Sequence, residues 1–281
     1  MIVVTGATGN VGRSLVQILA AAGADVVATS RSVTADGLPA GVGHVQADLT
    51  DAETLRPVLD GADALFLQNG GPSAHLVDAP LLMDVAKTSG VGRVVLLSSQ
   101  AVETRPGTVS HGRVGRAIED AVRGSGLPWT VLRPGGFFSN TYGWAESVRT
   151  RRVVAAPFGD VGLPAVDPAD IAEVAAAALR AAGHEEQTYV LTGPAPVTPR
   201  QQTAALAEAL GEAVRFEELT REEAAARFGA FMPAPVLETT LSILGDPEPA
   251  ERAVSPDVER VLGRAPGSYA EWAVRNAAAF R

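Results

Sequence analysis

The chain contains no cysteine. That excludes a disulfide framework, a thiol nucleophile and any thiolate metal site. Histidine occurs four times, as His44, His75, His111 and His184, and no two stand at i, i+4. A zinc site on one helix face is therefore not expected, and no metal is assigned. Lysine is rarer still: Lys87 stands alone, and arginine supplies the other basic side chains. The net charge is −9 with no basic tract, which argues against binding nucleic acid by phosphate neutralisation. No apolar run reaches the roughly 18 residues of a membrane span. The first strand is expected from residue 2, so no leader is expected before it, and the reading is a cytoplasmic protein. No heptad pattern argues for a large assembly, and a monomer or homodimer is expected.

What is present is a core. Hydrophobic residues make up 46% of 281 and charged ones 20%, enough for one large α/β domain with a small appendage. Apolar runs at Ile2–Thr5, Asp25–Ser30, His44–Ala47, Ala64–Gln68, Arg93–Ser98 and Thr130–Arg133 read as strands. Helical spacing fills the gaps over Val11–Ala22, Ala52–Leu59, Pro80–Ser89 and Arg113–Gly124. Parallel neighbours need crossovers, so this alternation predicts a doubly wound parallel sheet of the Rossmann type. "DPADIAEVAAAALRAAG" predicts a further helix capped by Asp167, and "TYVLTG" a further strand. Residues 1–155, with the helix and strand near 168–192, are expected to form the nucleotide-binding core. Residues 194–281 are expected to form a smaller α/β subdomain on the substrate side. It contains helices at "TPRQQTAALAEALG" and "TREEAAARFG" and a strand at "VRFEEL", while residues 231–256 carry no clear assignment.

Gly6, Gly9 and Gly12 follow the first strand and open the first helix. Glycine permits the tight turn and the close approach of a pyrophosphate, and the helix N-terminus favours its charge. Where an acidic residue would select NAD, this chain has Ser30 and Arg31. A guanidinium there matches a 2′-phosphate, so NADP(H) is expected, although a solvated arginine also fits. Asp48, with Leu49, stands where the chain passes an adenine, or else is simply a turn residue.

"TGATGNVG", "SRS", "ADLTD", "VVLLSS", "GLPWTVLRPGGFFSN" and "VDPADIAEVAAAAL", in this order, resemble the NmrA-like family of atypical short-chain dehydrogenases/reductases. The nearest likeness is to its NAD(P)H:quinone oxidoreductase-like members. The resemblance implies that Gly6, Thr8, Gly9, Asn10 and Val11 surround the pyrophosphate and that Arg31 meets the adenosine phosphate. It implies Asp48 and Leu49 at the adenine, Asn69 and Gly70 beside the ribose, and Ser98 and Ser99 near the nicotinamide ribose. Pro134, Gly135, Gly136 and Phe137 are implied alongside the nicotinamide.

One departure decides the chemistry. Ordinary dehydrogenases of this kind use Tyr-x-x-x-Lys. Here Tyr142, Tyr189 and Tyr269 are followed four residues on by Glu146, Gly193 and Ala273. The tyrosine position falls on His111 and the lysine position on Gly115. Hydride transfer to a quinone, enone or iminium survives this loss, because such an acceptor needs little carbonyl protonation. His111 is either a proton donor or a solvated loop residue. Ser99 either bonds a substrate oxygen or positions the cofactor. Phe137, Phe138, Tyr142 and Trp144 form an aromatic cluster, expected to divide between packing (Phe138 or Trp144) and a slot for a planar ring (Phe137 or Tyr142). The expectation is an NADPH-dependent reductase of a planar aromatic or quinonoid small molecule. The alternatives are a non-catalytic NADP-binding redox sensor, or an isomerase, dehydratase or cyclase on the same fold.

Overall fold

The computed structural model describes residues 1–31, 37–68 and 74–281. Its first half runs β1 (Ile2–Val4), α1 (Asn10–Ala21), β2 (Val26–Ser30), β3 (Gly43–Gln46), α2 (Arg56–Leu59), β4 (Ala64–Gln68), α3 (Ala79–Thr88), β5 (Val94–Leu97), α4 (Ala101–Thr104), α5 (Val114–Gly124) and β6 (Trp129–Pro134). There follow α6 (Ala145–Arg151), β7 (Val153–Pro157), α7 (Pro168–Arg180), β8 (Gln187–Leu191), α8 (Pro199–Leu210), β9 (Arg215–Leu219) and α9 (Arg221–Phe228). The chain ends with α10 (Ala234–Gly245), α11 (Pro249–Arg252), α12 (Asp257–Leu262) and α13 (Tyr269–Asn276). Among the described residues no helix is long and apolar enough to cross a membrane.

Seven strands form one parallel sheet in the order β3-β2-β1-β4-β5-β6-β8. This is the expected doubly wound Rossmann sheet. Its strands are buried on both faces, which is why β4 and β5 read as unbroken apolar runs. One face packs on α1 and α7 through Leu15, Leu19, Ile171 and Val174. The other packs on α3 and α5 through Leu82, Met83, Ile118 and Val122. The strand order reverses between β1 and β4, and the crevice outside the carboxyl ends at that point is where such sheets take ligands.

β7 leaves the main sheet and pairs in parallel with β9. A third core forms around this pair, built from Phe138, Val154, Leu206, Tyr269, Trp272 and Phe280. The second sheet thus draws its strands from both sides of residue 194. α12 meanwhile returns to the first core through Val258. α8 and α9 carry complete capping boxes, Thr198 with Gln201 and Thr220 with Glu223. The unassigned stretch 231–256 holds α10 and α11. Arg105 clamps α11 to α4 through both carboxylate oxygens of buried Glu251, at 2.9 and 2.8 Å. Gln100 adds a bond from Nε2 to the Ala250 carbonyl at 2.7 Å. This fixes α10 across the carboxyl edge of the large sheet.

Candidate active site

The glycine loop is built for close backbone approach. Gly6 has φ +62°, and a Cβ on Gly12 would collide with the Gly6 carbonyl oxygen. Gly9 occupies the N-cap of α1 with no side-chain cap and no acidic residue in the first turn. The helix therefore presents uncapped N–H groups and its positive end. Gln68, at the end of β4, lies against Gly6 and Gly9. Among the described residues its buried Oε1 has no hydrogen-bond partner, so a polar acceptor stands ready at the loop for a ligand donor. Thr8 is exposed beside the loop, whereas the Val11 side chain belongs to the core and leaves only its backbone to a ligand. Asn10 donates from Nδ2 to Ser139 Oγ at 3.0 Å, which ties α1 to the turn after β6.

Arg31 is exposed at the end of β2. Asp48 faces it electrostatically, but its Oδ1 accepts from the Thr50 amide and hydroxyl, both at 3.0 Å. Those bonds, the amide's first, hold the Asp48 carboxyl below its usual range. Asp48 is thus a turn residue by its contacts among the described residues. Leu49 packs half-buried on the second core. Asn69 and Gly70 lie outside the described residues.

Three cavities open along the carboxyl edge, and His111 and Phe137 line all of them. One of about 730 Å³ runs from Gln68 past Ser98 and Ser99. One of about 290 Å³ lies over Ser99, Gln100, Pro134, Gly135 and Gly136. One of about 1000 Å³ extends toward Trp144 and α9. α10 roofs the site, contributing Val236, Thr240 and Leu244. Phe137 is fixed by the backbone on either side: Phe138 N donates to Val166 O at 3.0 Å and Val166 N to Gly136 O at 2.8 Å.

His111 sits in a π-helical turn, Val109–Arg113, that leads into α5. The turn needs glycine at 112, where a Cβ would strike the Arg105 carbonyl. Ser110 Oγ lies 2.8 Å from His111 Nδ1 and 3.0 Å from the Pro235 carbonyl at the start of α10. The imidazole is half-buried, and burial pushes its pKa below the usual value. Gly115 lines the same cavity, so the positions of the missing Tyr/Lys pair both face the site. Ser99 Oγ accepts from the Ala101 amide at 3.2 Å and keeps its proton available. Ser98 Oγ donates to buried Glu119 at 2.6 Å. Glu119 in turn takes two bonds from Arg133, at 2.9 and 2.7 Å. This support was not visible in the sequence, because its three members are far apart in the chain.

The structure corrects one candidate. Tyr142 does not line these cavities. Its hydroxyl donates to Asn276 Oδ1 at 2.5 Å, and its ring packs on Trp272 and Phe280. Burial raises its pKa, the opposite of what a catalytic phenol requires. Trp144 takes the wall position instead. Tyr142→Phe is expected to leave kcat within about twofold of the parent; a loss near the ~10²-fold of a general acid would restore its catalytic role.

A family described as NAD(P)H-binding matches residues 6–182. The chain is 40% identical over its full length, and over 99% of the relative, to the (4-alkanoyl-5-oxo-2,5-dihydrofuran-3-yl)methyl phosphate reductase of Streptomyces griseus. It is 32% identical to the NAD(P)H azoreductase of Xenophilus azovorans, covering 100% of this chain and 99% of the relative. The NADPH complex of the quinone oxidoreductase QOR2 from Escherichia coli superposes with a TM-score of 0.82 at 25% identity, covering 98% of this chain and 99% of that one. The chain belongs to the NAD(P)H-binding family whose model it matches.

Proposed function

We propose that the protein is an NADPH-dependent reductase that delivers hydride to a planar conjugated carbonyl compound, an enone or quinone. One observation carries the reading: the cavities converge on Phe137 and His111, next to a glycine loop shaped for a dinucleotide. The names of the relatives, reductases of a furanone, an azo compound and a quinone, support it.

The fit of the cofactor rests on the uncapped start of α1, the glycine cradle and the unpartnered Gln68 oxygen. Gly6, Thr8, Gly9, Asn10, Gly12 and the Val11 backbone would hold the pyrophosphate, and Arg31 the 2′-phosphate. Leu49 and Asp48 would border the adenine. Ser98, Pro134, Gly135, Gly136 and Phe137 would bound the nicotinamide end. When bound, NADPH supplies a hydride, two electrons with one hydrogen.

The chain's own groups do the rest. Phe137 gives a flat wall against which a planar acceptor would stack. The carbon β to the acceptor carbonyl would take up that hydride, and the electron pair of the double bond would move toward the carbonyl oxygen. Ser99 Oγ and His111 donate to that oxygen, and His111 delivers the proton that completes the reduction. Ser110 Oγ donates to the Pro235 carbonyl and so accepts from His111 Nδ1, which leaves the proton on Nε2 of the imidazolium to be delivered. No Tyr/Lys pair is needed, because conjugation spreads the negative charge.

NADPH absorbance is expected to fall when an enone or a quinone is added to enzyme and cofactor; silence across both classes would contradict the reading. Arg31→Ser is expected to weaken NADPH binding about tenfold while NADH binding holds, the scale of one exposed charge-assisted contact. Parallel calorimetric titrations check this, and an unchanged preference would remove Arg31 from the site.

A further inference from the structure

The cavity of about 290 Å³ opens directly beside Phe137 and His111. Polar groups reach it from Ser99, Gln100, Thr104, Asn140, Thr240 and Glu251. Most of these are spent or adaptable. Both Glu251 oxygens already accept bonds, from Thr104 Oγ1, from Arg105 and from the Glu248 amide. Asn140 is exposed, and the hydroxyl of half-buried Thr240 can turn to donate or to accept.

Gln100 is neither. The residue is only 9% exposed. Its backbone amide donates to the Pro134 carbonyl at 2.9 Å, and its carbonyl accepts from the Glu103 and Thr104 amides at 3.0 and 3.1 Å. The side-chain amide has one orientation, because Nε2 donates to the Ala250 carbonyl at 2.7 Å and a carbonyl can only accept. Oε1 is thereby turned toward Gly135, where a Cβ would lie 3.3 Å from it. Glycine leaves that approach open. Among the described residues no donor reaches Oε1. An amide oxygen on a nine-tenths buried side chain, held in place at a cavity wall without a partner, calls for a donor from a ligand.

We infer that Gln100 is a specificity-determining residue. Its Oε1 accepts from a neutral O–H or N–H carried by the hydride acceptor, and so selects hydroxyl- or amino-bearing rings over their alkyl and ether counterparts. The inference rests on the reductase reading and adds a substrate feature to it.

The test binds three naphthoquinones to enzyme saturated with NADP⁺, by calorimetry. They bear a hydroxyl, a methyl or a methoxy group at the same carbon of the outer ring. NADP⁺ has no hydride to give, so binding is read without turnover. The parent is expected to bind the hydroxyl compound about tenfold more tightly than the methyl one, the scale of one hydrogen bond to a buried acceptor. The methoxy compound, which offers no proton, should gain nothing over the methyl one. In Gln100→Met the hydroxyl advantage is expected to fall below about twofold. That variant also loses the bond to Ala250. Gly135→Ala keeps that bond and covers Oε1 with a methyl group, and it should erase the advantage as well. A structural role for Gln100 would weaken all three ligands alike and leave their ratio unmoved, which overturns the inference. A parent that binds the hydroxyl and methyl compounds equally overturns it too. The cofactor's carboxamide is the other source of an N–H donor. If it holds Oε1, Gln100→Met loses about tenfold in NADPH affinity but nothing with the acetylpyridine analogue, which lacks those N–H groups, and the inference is overturned. Turnover of the same quinones with NADPH reports on the reductase reading separately. If they are reduced and no hydroxyl advantage appears in binding, only this inference fails. If the advantage stands and none is reduced, only the reductase reading fails.

Discussion

Glu119→Ala is expected to lower the stability of the folded protein by about 3–5 kcal/mol, the cost of removing one partner from a buried ion pair. Glu119 is fully buried, at 0% exposure, and Arg133 is 8% exposed. The two oxygens of Glu119 take both Arg133 bonds and that of Ser98, with Arg123 Nη2 at 3.4 Å from Oε2. Alanine leaves the Arg133 guanidinium with only the exposed carboxylate of Glu103, at 3.1 Å. Urea unfolding is the check, and a loss under about 1 kcal/mol would mean that the pair is dispensable. Acid should act through the same group. Burial works to raise the Glu119 pKa, but bonds from Arg133 and Ser98 outweigh it and hold the carboxyl below its usual range. Its contribution to stability is therefore fully present above about pH 4.5 and is lost as the pH falls through the lowered value. Glu119→Gln should flatten that part of the acid-unfolding curve.

His111→Phe is expected to reduce kcat on an enone about 10²-fold, with NADPH affinity little changed, because general acid catalysis contributes on that scale. The substitution keeps a planar ring in the wall of all three cavities and removes the proton. The pH profile gives the sign. Burial depresses the imidazole pKa, so the imidazolium forms only below the ordinary value of about 6.5. The part of kcat that depends on His111 should rise as the pH falls through that region and stay level above it. His111→Phe should show no such rise. A kcat within about threefold of the parent would assign proton delivery to Ser99 or water.

The sequence was most legible where one physical demand acts locally. The β1 loop and α1 announce themselves because only glycine fits the turn, and a glycine at 12 lets the helix pack on the loop. The sheet strands are legible because two-sided burial requires continuous apolar residues. β7 was not among the expected strands. Its five residues follow two arginines, and its partner β9 lies some sixty residues on. α10 was hidden by prolines 233 and 235, which read as breakers but occupy the N-cap and first turn, where proline is tolerated.

The substrate side shows where local reading stops. Four aromatics in one stretch say that something apolar is covered, without saying which ring faces where. Residues Phe138–Trp144 form a 3₁₀ turn, so Tyr142 points about a third of a circle away from Thr141 and Trp144. That rotation sends Tyr142 to Asn276 and α13, and Trp144 to the cavity. His111 was found only by counting back to the missing tyrosine. Its π-helical turn and its contact with Ser110 depend on Gly112 and on α10, which lies more than a hundred residues downstream.

The central claim is direct hydride passage from NADPH to a conjugated carbon lying against Phe137. NADPH carrying deuterium at the transferring position of C4, incubated with enzyme and an enone, tests it by mass spectrometry of the product. The expected product carries one deuterium at the carbon β to the carbonyl for each NADPH consumed. A product free of deuterium, or formed while the cofactor stays unspent, would contradict the claim.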